Sequence, residues 1–409
     1  MLIVKFVLVF FLLGLLSACA ESIFEIQGPE MLASPAGSGS AQPHLSISAD
    51  NDLVLSWLEP TGSRYALKFS TKQNGQWLPP RELASGSNWF VNWADFPSVV
   101  PIKGNLWAAH WLVIQEDGFG YDVVLSISQD SGNSWSEPIP LHLDGTLTEH
   151  GFVTLFPMLS GIGAVWLDGR NFIQNGEFAF ETSTGELLGM SLRYAQFDAN
   201  GSHVIAQELN DFVCDCCQTD VALIEGDALL VYRGRTIEEV RDIVFQRFSD
   251  NEWNSPEVLH DDNWVIAGCP INGPAIDAMD SNVAVAWFSA ATDRPLVRLA
   301  WSDNGGRDFA EPIDVDLDGS FGHVDVAVIG DDQSAVSWLR SEEDGLSLMV
   351  RTVHNSGEMG PPRLVANIGS MRPLGFPQMV FDGSNLIFAW TDLSDTQHVR
   401  TAVVGITSP

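Results

Sequence analysis

Val283-Ala284-Val285-Ala286-Trp287 is a short run of alternating small and β-branched residues that closes on an indole. Alternation with a period of two is the signature of a pleated strand, not of a helix. The chain writes this run six more times, as Leu53-Val54-Leu55-Ser56-Trp57, Leu106 to Trp111, Gly163 to Trp166, Leu229 to Tyr232, Ser334 to Trp338 and Leu386 to Trp390. The closing aromatics stand 54, 55, 66, 55, 51 and 52 residues apart. Intervals of this length, with room for about four short strands each, are those of β-propeller blades.

Around each of these second runs lie a first run before it, a third after it and, in most units, a fourth that opens on proline. The fourth runs include Pro80-Arg81-Glu82-Leu83, Pro138-Ile139-Pro140-Leu141, Pro256-Glu257-Val258-Leu259, Pro312-Ile313-Asp314-Val315 and Pro362-Arg363-Leu364-Val365. A proline costs least on an outer edge strand, where its missing N–H would have no partner. The seventh unit stops after its third run, Val399 to Ile406, and the missing fourth stands at the other end of the chain as Pro29-Glu30-Met31-Leu32. The expectation is an all-β propeller of seven four-stranded antiparallel blades closed by an N-terminal strand, with six blades as the alternative. Residues 20–43 would be the closing strand and its linker, and residues 44–409 the propeller.

At the N-terminus, Lys5 precedes an apolar run from Val7 to Leu16 and then Ser17-Ala18-Cys19. The run is too short to span a bilayer and reads as a signal-peptide core. The small residues before Cys19 resemble a bacterial lipobox. That resemblance implies removal of residues 1–18, lipidation of Cys19 and palmitate-bearing attachment to a membrane of the bacterial cell envelope. Ala20 after the cysteine implies the outer membrane; an ordinary cleaved signal peptide is the alternative. The chain has 20 Lys+Arg against 53 Asp+Glu, a formal charge of −33. Such a surface repels phosphate backbones and argues against nucleic acid as a partner.

Ser128-Gln129-Asp130-Ser131-Gly132-Asn133-Ser134-Trp135 fits the pattern Ser-x-Asp-x-Gly-x-x-Trp, and Ser302 to Phe309 fits it with Asn304 and Phe309 as substitutes. Ser70 to Trp77 and Ser249 to Trp253 look like decayed copies. On these motifs the chain resembles the Asp-box (BNR-repeat) sialidase-like propellers. The resemblance covers the repeat plan and two good boxes, whose side chains are expected to hold turns. It does not extend to a sialidase active site. Where that family carries the first arginine of its substrate triad, this chain has Pro43-His44-Leu45-Ser46.

In a propeller the links into first strands and the turns after second strands open on one face, around the mouth of the central channel. There the sequence collects its chemically rich residues. Asp95, Glu149, Asp168 and Asp325 are the candidate acid–base carboxylates. His110, Trp111, His150 and His323 are candidate ligand contacts, with Arg170, Arg233 and Arg235 as forks for an anion. Cys214, Cys216, Cys217 and Cys269 sit on two neighbouring links; in an oxidising compartment they are expected to form disulfides, one from Cys269 into the cluster and one within it. No metal or cofactor is expected, although four thiolates could also hold a soft ion. Two readings follow: a propeller that recognises a glycan or another anionic ligand, with a sialidase-like exo-glycosidase as its catalytic form, and a scaffold that docks an envelope protein. Fold alone does not choose between them.

Overall fold

The computed structural model describes residues 23–48, 51, 53–115, 120–292, 294–343, 345–369 and 375–407. Cys19 and the rest of residues 1–22 lie outside them. The chain forms seven four-stranded antiparallel blades. Their first strands are Ala41–Ile47, Ser98–Lys103, His150–Met158, Asp220–Ile224, Ala275–Met279, Ser320–Val328 and Gln378–Phe381. Among the described residues the one helical element is a single 3-10 turn, Arg170–Phe172.

The ring closes as the sequence predicts. Glu25–Leu32 pairs antiparallel with His398–Thr407, Glu25 opposite Thr407 and Leu32 opposite Thr401. It is also fastened to blade six, where the Phe24 N–H donates to Gln333 Oε1 at 2.8 Å and Thr352 Oγ1 donates to the Phe24 carbonyl at 3.0 Å.

The repeated aromatics hold the blades. Trp57, Trp111, Trp166, Tyr232, Trp287, Trp338 and Trp390 are all at most 5 % exposed. Three of them share a polar device. Each indole N–H donates to a carboxylate that a basic residue across the hairpin also meets. Trp57 uses Glu59 at 3.0 Å with Lys68, Trp166 uses Asp168 at 2.7 Å with Arg193, and Trp287 uses Asp262 at 2.7 Å with Arg298. The basic partners are the residues directly opposite each tryptophan in the ladder. The device spares these three indoles the cost of an unpaired buried N–H, about 1–3 kcal/mol, which Trp338 and Trp390 carry because their Nε1 atoms meet no acceptor among the described residues.

Each blade is tied to the next near the channel. Ser46 Oγ donates to the Val99 carbonyl at 2.9 Å and Thr154 Oγ1 to the Thr219 carbonyl at 2.7 Å. Elsewhere a carboxylate accepts a main-chain N–H: Asp95 from Phe152 at 2.8 Å, Asp220 from Ile276 at 2.9 Å, Asp277 from Val328 at 2.7 Å and Asp325 from Met379 at 2.6 Å. Between blades seven and one, the Gln42 N–H donates to Thr391 Oγ1 at 3.2 Å.

The turn at residues 128–135 is built by its own side chains. Ser128 Oγ accepts the Gly132 N–H at 2.8 Å, Asp130 Oδ1 accepts the Ser134 N–H at 2.8 Å, and Gly132 sits at φ 74°. Trp135 then meets Phe69 of blade one edge-on, 5.9 Å between centroids. The 302–309 turn repeats the scheme with Asn304 in place of the aspartate and Phe309 against Phe245.

Candidate functional site

The links into first strands open on one face among the described residues, here the mouth face. At its centre the channel holds a cavity of about 130 Å³, with His44, Asp95, Thr154, Asp220, Asp325 and Gln378 among its walls. Beside it, His323 stacks on Phe376 with centroids 4.1 Å apart, and Trp93 lies near both rings, 6.1 Å from His323 and 6.3 Å from Phe376. The cavity is smaller than the ~300 Å³ that small-molecule sites start from.

Several predicted site residues make contacts that hold the fold together. Asp95 is 2 % exposed and accepts the Tyr121 hydroxyl at 2.9 Å as well as the Phe152 N–H. Burial pushes its carboxyl up to about 7. Burial likewise raises Asp325 well above the carboxylate range. Asp168 belongs to the repeated tryptophan–acid device, in the place Glu59 takes in blade one. His110 is fully buried against Ser98 at 2.9 Å, and desolvation holds it down to about 3, so it is neutral. Trp111 is buried against Trp89, the two rings tilted by 32° with centroids 5.5 Å apart.

The three arginines do not form one anion site. Arg233 is 1 % exposed and gives Nε, Nη1 and Nη2 to the carbonyls of Asn272, Arg241 and Phe288 at 2.8, 2.6 and 2.8 Å. Arg170 grips Asp168 at 2.6 Å and Asp144 at 3.1 Å. Arg235 lies over the Phe212 ring and pairs with Asp215 and Glu239 at 3.2 and 2.6 Å. Glu149 reaches solvent; its carboxyl is raised by partial desolvation and by the charge of Asp215.

His150 lies in a polar cluster that sequence reading only half assembled. Its ring stacks on His142 with centroids 3.7 Å apart, and Asp144 accepts from both rings. Against burial, the Asp144 hydrogen bond and the charges of Asp168 and Asp144 push His150 above its ordinary value. Asp122, His142 and His150, or Asp144, His150 and Asp168, bring three ligand atoms within 4.8 Å of one another and could hold a divalent ion. In the second set the Arg170 guanidinium already occupies the carboxylates.

The larger opening on the mouth face lies between blades three and four, and none but Arg235 of its residues was singled out in the sequence. Blade three makes a long excursion after its second strand, with a small hairpin pairing Ile173 with Phe178. Between this excursion and the 235–238 turn of blade four runs a groove of about 680 Å³. Asn171, Gln174, Thr182 and Asn210 give it amide and hydroxyl groups, Leu187, Phe212 and Ile237 its apolar wall, and Glu186, Asp211, Glu238 and Arg235 its charge. Phe172, Phe178 and Phe180 form a ring cluster on the excursion, and Phe178, Phe180 and Ile237 are 56, 69 and 60 % exposed. The sequence signal was the interval of 66 residues between Trp166 and Tyr232.

Fold and site together define a seven-bladed β-propeller with a ligand-sized groove on its mouth face. No family model and no curated protein matches the chain. Solved structures do share its fold. A protein of unknown function from Dyadobacter fermentans is 12 % identical, covers 94 % of this chain and 99 % of its own, and superposes with a TM-score of 0.51. A polysaccharide lyase is 9 % identical over 91 % and 92 % of the two chains, TM-score 0.51. An α-L-arabinanase from Penicillium chrysogenum, complexed with arabinobiose, is 11 % identical over 92 % and 98 %, TM-score 0.50. Identities this low establish the propeller and leave function to the site.

Proposed function

We propose that the protein is a lipid-anchored glycan-binding propeller of the bacterial envelope, which takes an uncharged glycan in the groove between blades three and four. The observation that carries this reading is the groove itself. Its side-chain amides suit sugar hydroxyls, and the apolar side chains on its rim suit the C–H faces of sugar rings. Its acids outnumber its one arginine, and that arginine is already matched by Asp215 and Glu239. An anionic ligand would meet repulsion there, so the earlier expectation of an acid narrows to a neutral sugar. Anchoring rests on the lipobox-like Ser17-Ala18-Cys19.

Binding is favoured over hydrolysis because Asp95 and Asp325 tie blades together beside a cavity too small for a sugar, while Asp168 is consumed by Trp166 and Arg170. The test is a glycan array probed with the full chain in detergent, followed by titration of the best hit. Ile237→Ala and Leu187→Ala should each weaken binding about tenfold with an unchanged melting temperature, because both side chains line the groove and are exposed. A blank array, wild-type affinity in both variants, or turnover of the bound glycan would overturn the proposal.

A further inference from the structure

The link from blade three to blade four carries Cys214-Asp215-Cys216-Cys217, and the link from blade four to blade five carries Cys269. A disulfide joins Cys216 to Cys269, with 6.0 Å between their Cα atoms. The expected second bridge is not made: Cys214 and Cys217 are buried thiols whose sulfurs lie 3.0 Å apart. That is about 1 Å beyond a covalent S–S bond of ~2.05 Å. The Sγ atoms of Cys214, Cys216 and Cys217 lie within 4.8 Å of one another. A buried dithiol therefore abuts a disulfide whose far end, Cys269, is exposed.

The surroundings distinguish the two thiols. Arg241, 2 % exposed, places Nη1 3.4 Å from Cys214 Sγ. Burial works to raise the Cys214 thiol, but the Cys217 hydrogen bond and the charges of Arg241 and Arg233 outweigh it and bring it down to about 6. Cys217 is held well above its ordinary value by burial and by Cys214. Cys214 is thus the nucleophile, since the thiolate is the attacking species.

We propose that the four cysteines form one thiol–disulfide exchange site, which passes a disulfide between the surface pair Cys216–Cys269 and the buried pair Cys214–Cys217. In the first step the Cys214 thiolate attacks Cys216 Sγ. The Cys214–Cys216 bond forms, the Cys216–Cys269 bond breaks, and its electron pair leaves on Cys269, which takes a proton from water. In the second step Cys217 gives its proton to water and attacks Cys214. The Cys214–Cys217 bond forms and the electron pair leaves on Cys216. One disulfide and two thiols stand on each side, so no oxidant is consumed. The freed surface pair then accepts substrates of one class, protein or small-molecule disulfides, whose sulfurs are reduced to thiols as Cys216 and Cys269 are reoxidised. This chemistry is independent of the glycan reading.

The experiment uses the full chain in detergent, oxidised and then given one equivalent of dithiothreitol. Aliquots are quenched in acid, alkylated with N-ethylmaleimide, cleaved before Asp215 and mapped by tandem mass spectrometry. Two connectivities are expected in the wild type, Cys216–Cys269 and Cys214–Cys217, with equilibration slowing about tenfold per pH unit well below 6. The variants hold three of the four cysteines and one disulfide and are mapped oxidised, without reductant: Cys217→Ser should trap a Cys214–Cys216 bond with Cys269 alkylated, and Cys214→Ser should leave the disulfide only at Cys216–Cys269. A single connectivity in the wild type, a chain that the reductant leaves unchanged, or undiminished exchange in Cys214→Ser would each overturn the proposal.

Discussion

Replacing Asp95 by asparagine separates a carboxyl that holds the ring from one that performs chemistry. In the folded protein Asp95 is 2 % exposed and its carboxyl is pushed from 3.8 to about 7, by burial first and to a lesser degree by the charge of Glu149. The unfolded chain ionises near 3.8, so between that pH and about 7 the folded state holds a proton that the unfolded state has released. This group's contribution therefore makes stability fall as pH rises through the window, and the loss is complete above about 7. From pH 5 to pH 8 two tenfold steps remain, which at 1.36 kcal/mol each amount to about 3 kcal/mol. Asparagine keeps an oxygen for the Phe152 N–H and an amide for the Tyr121 hydroxyl, and it cannot ionise. At about 2.1 cal/mol/K per residue, a propeller of this size has an unfolding entropy of about 0.8 kcal/mol/K. Asp95→Asn should therefore gain about 4 °C on the wild type between pH 5 and pH 8, read as the difference between two melting curves at each pH. Taking the difference cancels the general effect of the −33 net charge. Parallel pH curves for the two proteins would refute the buried, protonated carboxyl, and loss of a catalytic turnover with binding intact would restore Asp95 to chemistry.

Arg233→Lys should lower stability by at least about 3 kcal/mol if the ammonium cannot reach the carbonyls of Asn272, Arg241 and Phe288, at about 1 kcal/mol for each one orphaned, while glycan affinity stays at the wild-type value; a thermal melt paired with calorimetric titration checks both. Trp135→Ala should cost about 2–4 kcal/mol through its lost contact with Phe69, less than a fully buried indole because Trp135 is half-buried. An unchanged melting temperature would show that this turn does not clamp blades one and two.

The parts of this molecule that were legible in its sequence are those where one physical requirement is repeated. Every second strand carries a buried aromatic, so seven of them appear at blade spacing, and the absent fourth run of the last unit points to the N-terminal strand that closes the ring. Proline marked edge strands only where an edge happened to tolerate it. The fourth strand of blade three, His203–Val213, is the longest in the structure and carries no proline, so it went unread. The contacts of the mouth-face residues are hidden from the sequence for a different reason. Residue type and position do put Arg233 at a blade end, but its role depends on three carbonyls that are 39, 8 and 55 residues away in sequence. Likewise the carboxylates of Asp95 and Asp325 read as catalytic because they are acids near a channel mouth, yet each faces the first main-chain N–H groups of the next blade. What departs from the repeat is the better guide. The single long interval, Trp166 to Tyr232, holds the excursion that walls the groove, and the only cysteines beyond residue 19 flank blade four. Connections outside the four-strand repeat can vary without loss of the ring, and both proposals made for this protein rest on such departures.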